Sequence, residues 1–117
     1  MREKISVTKS SGEIIEADLV NAFIKKDNNL KYLMYTLNEV DSSNLIKLYV
    51  SKVSGEAEPF TLDTISDETE WTSIKGIMKE LVEGNTNNVQ YIETGKSFKG
   101  DSKVIALPVG GVYDNDE

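Results

Sequence analysis

Residues 13–26 read EIIEADLVNAFIKK, and the fold turns on whether they form a strand or a helix. At period two, Ile15, Ala17 and Leu19 share one face and Glu16 and Asp18 the other. At period 3.6, Ile15, Leu19, Ala22 and Phe23 make a stripe, so periodicity alone does not decide. The preceding residues favour a strand. Ile5–Thr8 alternates, with Ile5 and Val7 on one face, and Ser10-Ser11-Gly12 follows as a turn. The stretch is therefore read as the second arm of a hairpin, with helix as the open alternative.

The chain downstream keeps the same rhythm. Asp27-Asn28-Asn29 marks a turn. Leu30–Leu37 carries Tyr32, Met34, Tyr35 and Leu37 on mixed faces, the pattern of a strand partly buried on both sides. Asp41-Ser42-Ser43-Asn44 is the next turn. In Leu45–Val53, Ile46, Leu48 and Val50 alternate with Lys47, Tyr49 and Ser51, as in an antiparallel strand with one wet face. Four strands joined by short turns make an antiparallel β-meander.

One helix is well signalled, at Asp67–Val82. Asp67 is its N-cap, and Glu70 three residues on completes a capping box. Acids at Asp67, Glu68 and Glu70 suit the positive end of the helix dipole. Trp71, Ile74, Met78 and Leu81 recur at helical spacing, widened by Ile77 and Val82, and Gly84 stands where a C-terminal cap belongs. Val89–Thr94 and Lys103–Leu107 are expected to form a hairpin across Gly95–Asp101, stopped by Pro108. The expected fold is α+β: the meander, one amphipathic helix packed on the sheet, and a C-terminal β-hairpin extension. Residues 1–85 make the sheet-plus-helix domain, 86–109 the extension of the same domain, and 110–117 a flexible acidic tail.

The chemistry is defined by absences. None of the 117 residues is histidine or cysteine, which removes the usual general base, metal ligand and thiol nucleophile. No phosphate-cradling glycine motif occurs. Twenty acids against 13 bases give a net charge of −7, and Arg2 is the sole arginine. Such a chain is poorly suited to neutralising nucleic-acid phosphates and better suited to a basic protein partner. No leader-like apolar segment and no membrane-length apolar run occur. The expectations are a cytoplasmic protein that is not an enzyme, with no cofactor, no metal, no direct nucleic-acid contact and no membrane contact. The acids Asp67, Glu68 and Glu70 are explained by capping rather than by a metal.

Three stretches together carry a family resemblance. They are the opening hairpin from Ile5 to Phe23, the pair Tyr32–Tyr35 with Leu48–Val53, and Ile65-Ser66-Asp67-Glu68-Thr69-Glu70-Trp71, an Ile-x-Asp-Glu-x-Glu-Trp pattern opening the helix. Over residues 5–83 the chain resembles the YrzB-like family of small acidic proteins of Gram-positive bacteria and their phages, whose domain has no assigned activity. The resemblance implies an antiparallel sheet with a helix, and it brings no site residues.

Aromatic residues dominate interface hot spots, so Tyr32, Tyr35, Tyr49 and Trp71 are weighed as contacts or core. Trp71 reads as core. Tyr49, on the polar face of its strand, reads as exposed. Lys47 and Tyr49 are the candidate protein-binding residues. The leading expectation is a non-enzymatic accessory protein of a bacterium or phage acting through protein–protein contacts. The alternatives are an acidic nucleic-acid mimic that inhibits a nuclease or polymerase, and a phage particle component. The mimic needs Glu13, Glu16, Asp18, Asp67, Glu68 and Glu70 to form one stripe, and intermixed lysines count against it.

Overall fold

The computed structural model of the chain describes residues 3–107. In order these are β1 (Lys4–Thr8), β2 (Ile14–Lys25), β3 (Lys31–Val40), β4 (Ile46–Ser54), β5 (Phe60–Asp63), α1 (Glu68–Val82), β6 (Val89–Tyr91), β7 (Ser97–Gly100) and β8 (Lys103–Leu107). The tail expected at 110–117 lies outside the described residues. Residues 14–25 form one long strand, so the period-two reading of the opening stretch holds.

The first four strands pair antiparallel in sequence order, as a meander does, but the sheet then closes on itself. β5 pairs antiparallel with β4, and β7 lies parallel to both β5 and β1. The ring β1-β2-β3-β4-β5-β7 is a closed barrel of six strands rather than an open meander. Closure removes the open edges that a meander would leave.

The expected C-terminal hairpin does not form. β6 pairs with β2 at Phe23–Lys25, and β8 pairs with β4 at Ile46–Val50. Each fills the half of a long strand's second edge that the barrel leaves free, since β1 takes only Ile14–Asp18 of β2 and β5 only Lys52–Ser54 of β4. The supposed turn between them contains β7, which closes the barrel. The strands between residues 89 and 107 are therefore built into the sheet rather than appended to it.

Two long strands with two partners each produce two cores. Inside the barrel lie Ile5, Val7, Ala17, Ala22, Leu33, Tyr35, Leu62 and Phe98. On the other side, Trp71, Ile74, Ile77 and Met78 of α1 cover Phe23, Tyr32, Met34, Ile46, Leu48 and Val50. β3 is shared: Leu33 and Tyr35 point into the barrel, Tyr32 and Met34 to the helix, which explains its mixed pattern. Ser51, expected on a wet face of β4, is fully buried, because that face turns toward the barrel.

The helix ends follow their sequence signals with one exception. Asp67 caps the start, its Oδ2 accepting from the Glu70 N–H at 2.8 Å. Glu70 does not complete a capping box. Its carboxylate accepts instead from the Tyr32 hydroxyl at 2.6 Å and the Lys52 ammonium at 3.2 Å, tying α1 to the sheet. At the other end Gly84 donates to the Leu81 carbonyl and Asn85 to that of Glu80, the paired bonds of a Schellman motif. Among the described residues, no helix is long and apolar enough to cross a membrane.

Candidate functional site

Lys47 and Tyr49 lie on β4, on the face turned away from α1. Across the ladder Tyr49 stands opposite Val104 of β8, and Lys47 opposite Ala106. Residues directly opposite in an antiparallel pair share a face, so these four side chains form one patch. Val104 is half exposed, whereas its neighbours Ile105 and Leu107 turn toward the helix-side core. Among the described residues β8 pairs on one side only, with β4, so its outer edge borders the patch.

Tyr49 is half-buried rather than fully exposed. Its ring stacks on Tyr35, with centroids 5.3 Å apart and planes 8° from parallel. Its hydroxyl donates to Glu39 Oε1 at 2.5 Å. Burial, and then the hydrogen bond to Glu39, raise its pKa, so the phenol remains a neutral donor near neutral pH. Both ends of the ring are fixed, and a rigid aromatic loses little side-chain freedom when a partner covers it.

The patch runs into the mouth of the barrel, a cleft of about 400 Å³ lined by Lys9, Ser10, Ile15, Tyr35, Tyr49 and Ser102 among others. Ser51 donates to Ser102 Oγ at 2.7 Å, and Ser102 shares a hydrogen bond of 3.0 Å with the Tyr35 hydroxyl. Burial raises the Tyr35 pKa, so no partner of Ser102 in this chain of hydroxyls is a base at neutral pH. Asp101 is occupied as well: its carboxylate accepts from the Ser10 hydroxyl and from the Ser10 N–H, which holds its pKa below the ordinary value. An activated serine needs a free base within reach, and this network supplies none.

Four of the six acids of the supposed mimic stripe are taken up by cations or internal partners. Asp18 pairs with Lys4, Glu13 with Lys9, and Glu70 with Lys52, while Asp67 caps α1. Among the described residues, no group of three or more acids is placed to hold a metal ion. Sequence reasoning selected Lys47 and Tyr49 by alternation but missed Val104. The signal was present, since the apolar run Val104-Ile105-Ala106-Leu107 carries more hydrophobic surface than one face can bury. No family model, curated protein or solved structure matches the chain.

Proposed function

We propose that this chain is a non-enzymatic accessory protein of a bacterium or its phage, acting in the cytoplasm through contact with a protein partner. The contact surface is the β4–β8 face, with Tyr49 and Val104 at its centre and Lys47 beside them. The observation that carries this reading is the half-exposed Val104 on β8, a strand that among the described residues pairs on one side only, set beside the stacked Tyr49 of β4. Edge strands are ordinarily blunted by charge or proline; β8 has one charge, Lys103 at its start, and its sequence is followed by Pro108, which leaves Val104 to Leu107 as an uncharged apolar run. A partner strand can add to such an edge through main-chain hydrogen bonds, with Tyr49 and Val104 reading its side chains. The net charge of −7 favours a partner that is basic overall. The resemblance of residues 5–83 to a family of small acidic proteins supports the same reading.

The test is affinity capture from the encoding cell with the parent chain and with Val104→Glu and Tyr49→Ala, each first shown to be folded. The expected result is one stoichiometric protein partner, retained by the parent and lost by both variants. Retention by both variants would remove the face from the proposal. Catalytic turnover abolished by a single point change would overturn the non-enzymatic reading.

A further inference from the structure

A cleft of about 570 Å³ lies on the helix side of the molecule, between the end of β2, one flank of α1 and the loop before β6. Its size is that of a small-molecule site. Lys25 lines it. The alternation of β2 puts Lys25 on the same face as Phe23, toward the helix, and the residue is only 6% exposed. An ammonium has three donors. Among the described residues, this one meets the Ser73 hydroxyl at 2.9 Å and Asp27 Oδ1 at 3.6 Å, and the Asp27 side chain stands mostly in solvent. A buried cation with one neutral hydrogen bond and one long, solvent-screened ion pair is under-compensated, and burial without compensation is costly.

A second observation comes from the helix. Gly76 lines the same cleft in the middle of α1, where glycine destabilises a helix relative to alanine. A Cβ added at Gly76 would meet nothing within 4 Å, so no protein neighbour requires the glycine. Its effect is to leave helix backbone bare on the cleft wall, open to close approach by a ligand.

The lining charges identify the ligand class. Lys25 and Lys26 give +2, Asp27 and Glu80 give −2, and the sum is zero. A dianion such as phosphate would face two carboxylates. A molecule with separate opposite charges would place its carboxylate on Lys25 and Ser73 and its ammonium on Glu80, which is held by the Asn88 amide at 3.1 Å. We infer that this cleft binds a small zwitterion of the free α-amino-acid class. The site is independent of the β4–β8 contact face.

The experiment is a titration of the isotope-labelled full chain, following backbone amides by NMR. The probes are glycine and L-serine, with acetate, methylamine and inorganic phosphate as controls. The amino acids should shift Ser73, Gly76 and Asn88 saturably, and each control should bind at least about tenfold more weakly, a difference of roughly 1.4 kcal/mol. Lys25→Met keeps the buried stem, and should weaken amino-acid binding about tenfold or more without lowering the melting temperature. Glu80→Gln, at the rim, should weaken the amino acids but not acetate, and reports on the site even if the Lys25 variant unfolds. Gly76→Ala should raise the melting temperature and weaken binding. The proposal is overturned by no saturable shift up to about 10 mM, an order of magnitude above a millimolar Kd. It is equally overturned by acetate or phosphate binding as tightly as glycine, or by parental affinity in folded Lys25→Met and Glu80→Gln.

Discussion

Replacing Gly100 with alanine should open the barrel. Gly100 ends β7, faces Leu62 of β5, and has a φ of +140°. A Cβ there would collide with the Leu62 carbonyl oxygen and come within 3.0 Å of the Leu62 side chain. Two costs follow. Holding a side-chain-bearing residue in a sparsely populated backbone region costs about 1–3 kcal/mol. Relieving the collision requires β7 to withdraw from β5, and each ladder hydrogen bond lost costs about 0.5–1.5 kcal/mol. With one bond lost the sum is roughly 1.5–4.5 kcal/mol, a large share of a typical stability of about 5–15 kcal/mol. Urea denaturation followed by circular dichroism measures it. Gly76→Ala is the matched control of opposite sign: it should gain about 0.5–1 kcal/mol, because its Cβ enters open space on a helix. Stability of Gly100→Ala within about 0.5 kcal/mol of the parent, the usual range for innocuous surface changes, would refute the close approach of β7 to β5.

Other outcomes follow from the same contacts. Trp71→Ala should lose about 3–5 kcal/mol in the same assay, because its ring is buried under α1 with the Lys103 ammonium 4.9 Å from its centroid. Glu58 Oε1 accepts from the backbone N–H groups of Lys96 and Ser97, which lowers its pKa below the ordinary 4.5, while Ser10 lowers that of Asp101 below 3.8. Both folded pKa values lie below the unfolded ones, so this stabilisation is complete above about pH 4.5 and is lost as pH falls through the folded values. Thermal melts should therefore decline below that point, and Glu58→Gln should flatten the decline. Assays of ester, phosphate and peptide hydrolysis at neutral pH should give no turnover, an expectation resting on the lack of histidine and cysteine in the sequence and on the hydroxyls of Tyr35 and Ser51 being the hydrogen-bond partners of Ser102 among the described residues.

The legible parts of the fold were those written in short-range pattern. Period-two alternation gave β1 and β4, the Ser10-Ser11-Gly12 turn after β1 decided β2 where periodicity did not, and Asp67, Trp71 and Gly84 gave the helix with its ends. The mixed faces of Leu30–Leu37 already signalled burial on both sides, which β3 shows. Closure was illegible because β7 is SFKG, with Phe98 its only large apolar residue, and its partners are about 90 residues away in β1 and 40 in β5. Parallel pairing over that distance leaves no local period to read. Missing it also displaced Ser51 and Tyr49, because a polar side chain on an alternating strand looks solvated until a second core appears behind it. Glu70 shows a related limit: its spacing from Asp67 suits a capping box, but Tyr32 and Lys52 compete for the same carboxylate and win. Lys47 and Tyr49 could be selected from one strand alone, whereas their juxtaposition with Val104 required the β4–β8 register.

The contact face is open to a direct measurement in the cell. A photo-crosslinking amino acid is placed at position 104, beside Tyr49, and separately at position 79, an exposed site on the helix that covers the opposite face. If the β4–β8 face docks a partner, illumination yields one discrete protein adduct from position 104 and none from position 79. No adduct at position 104, or the same adducts from both positions, would contradict it.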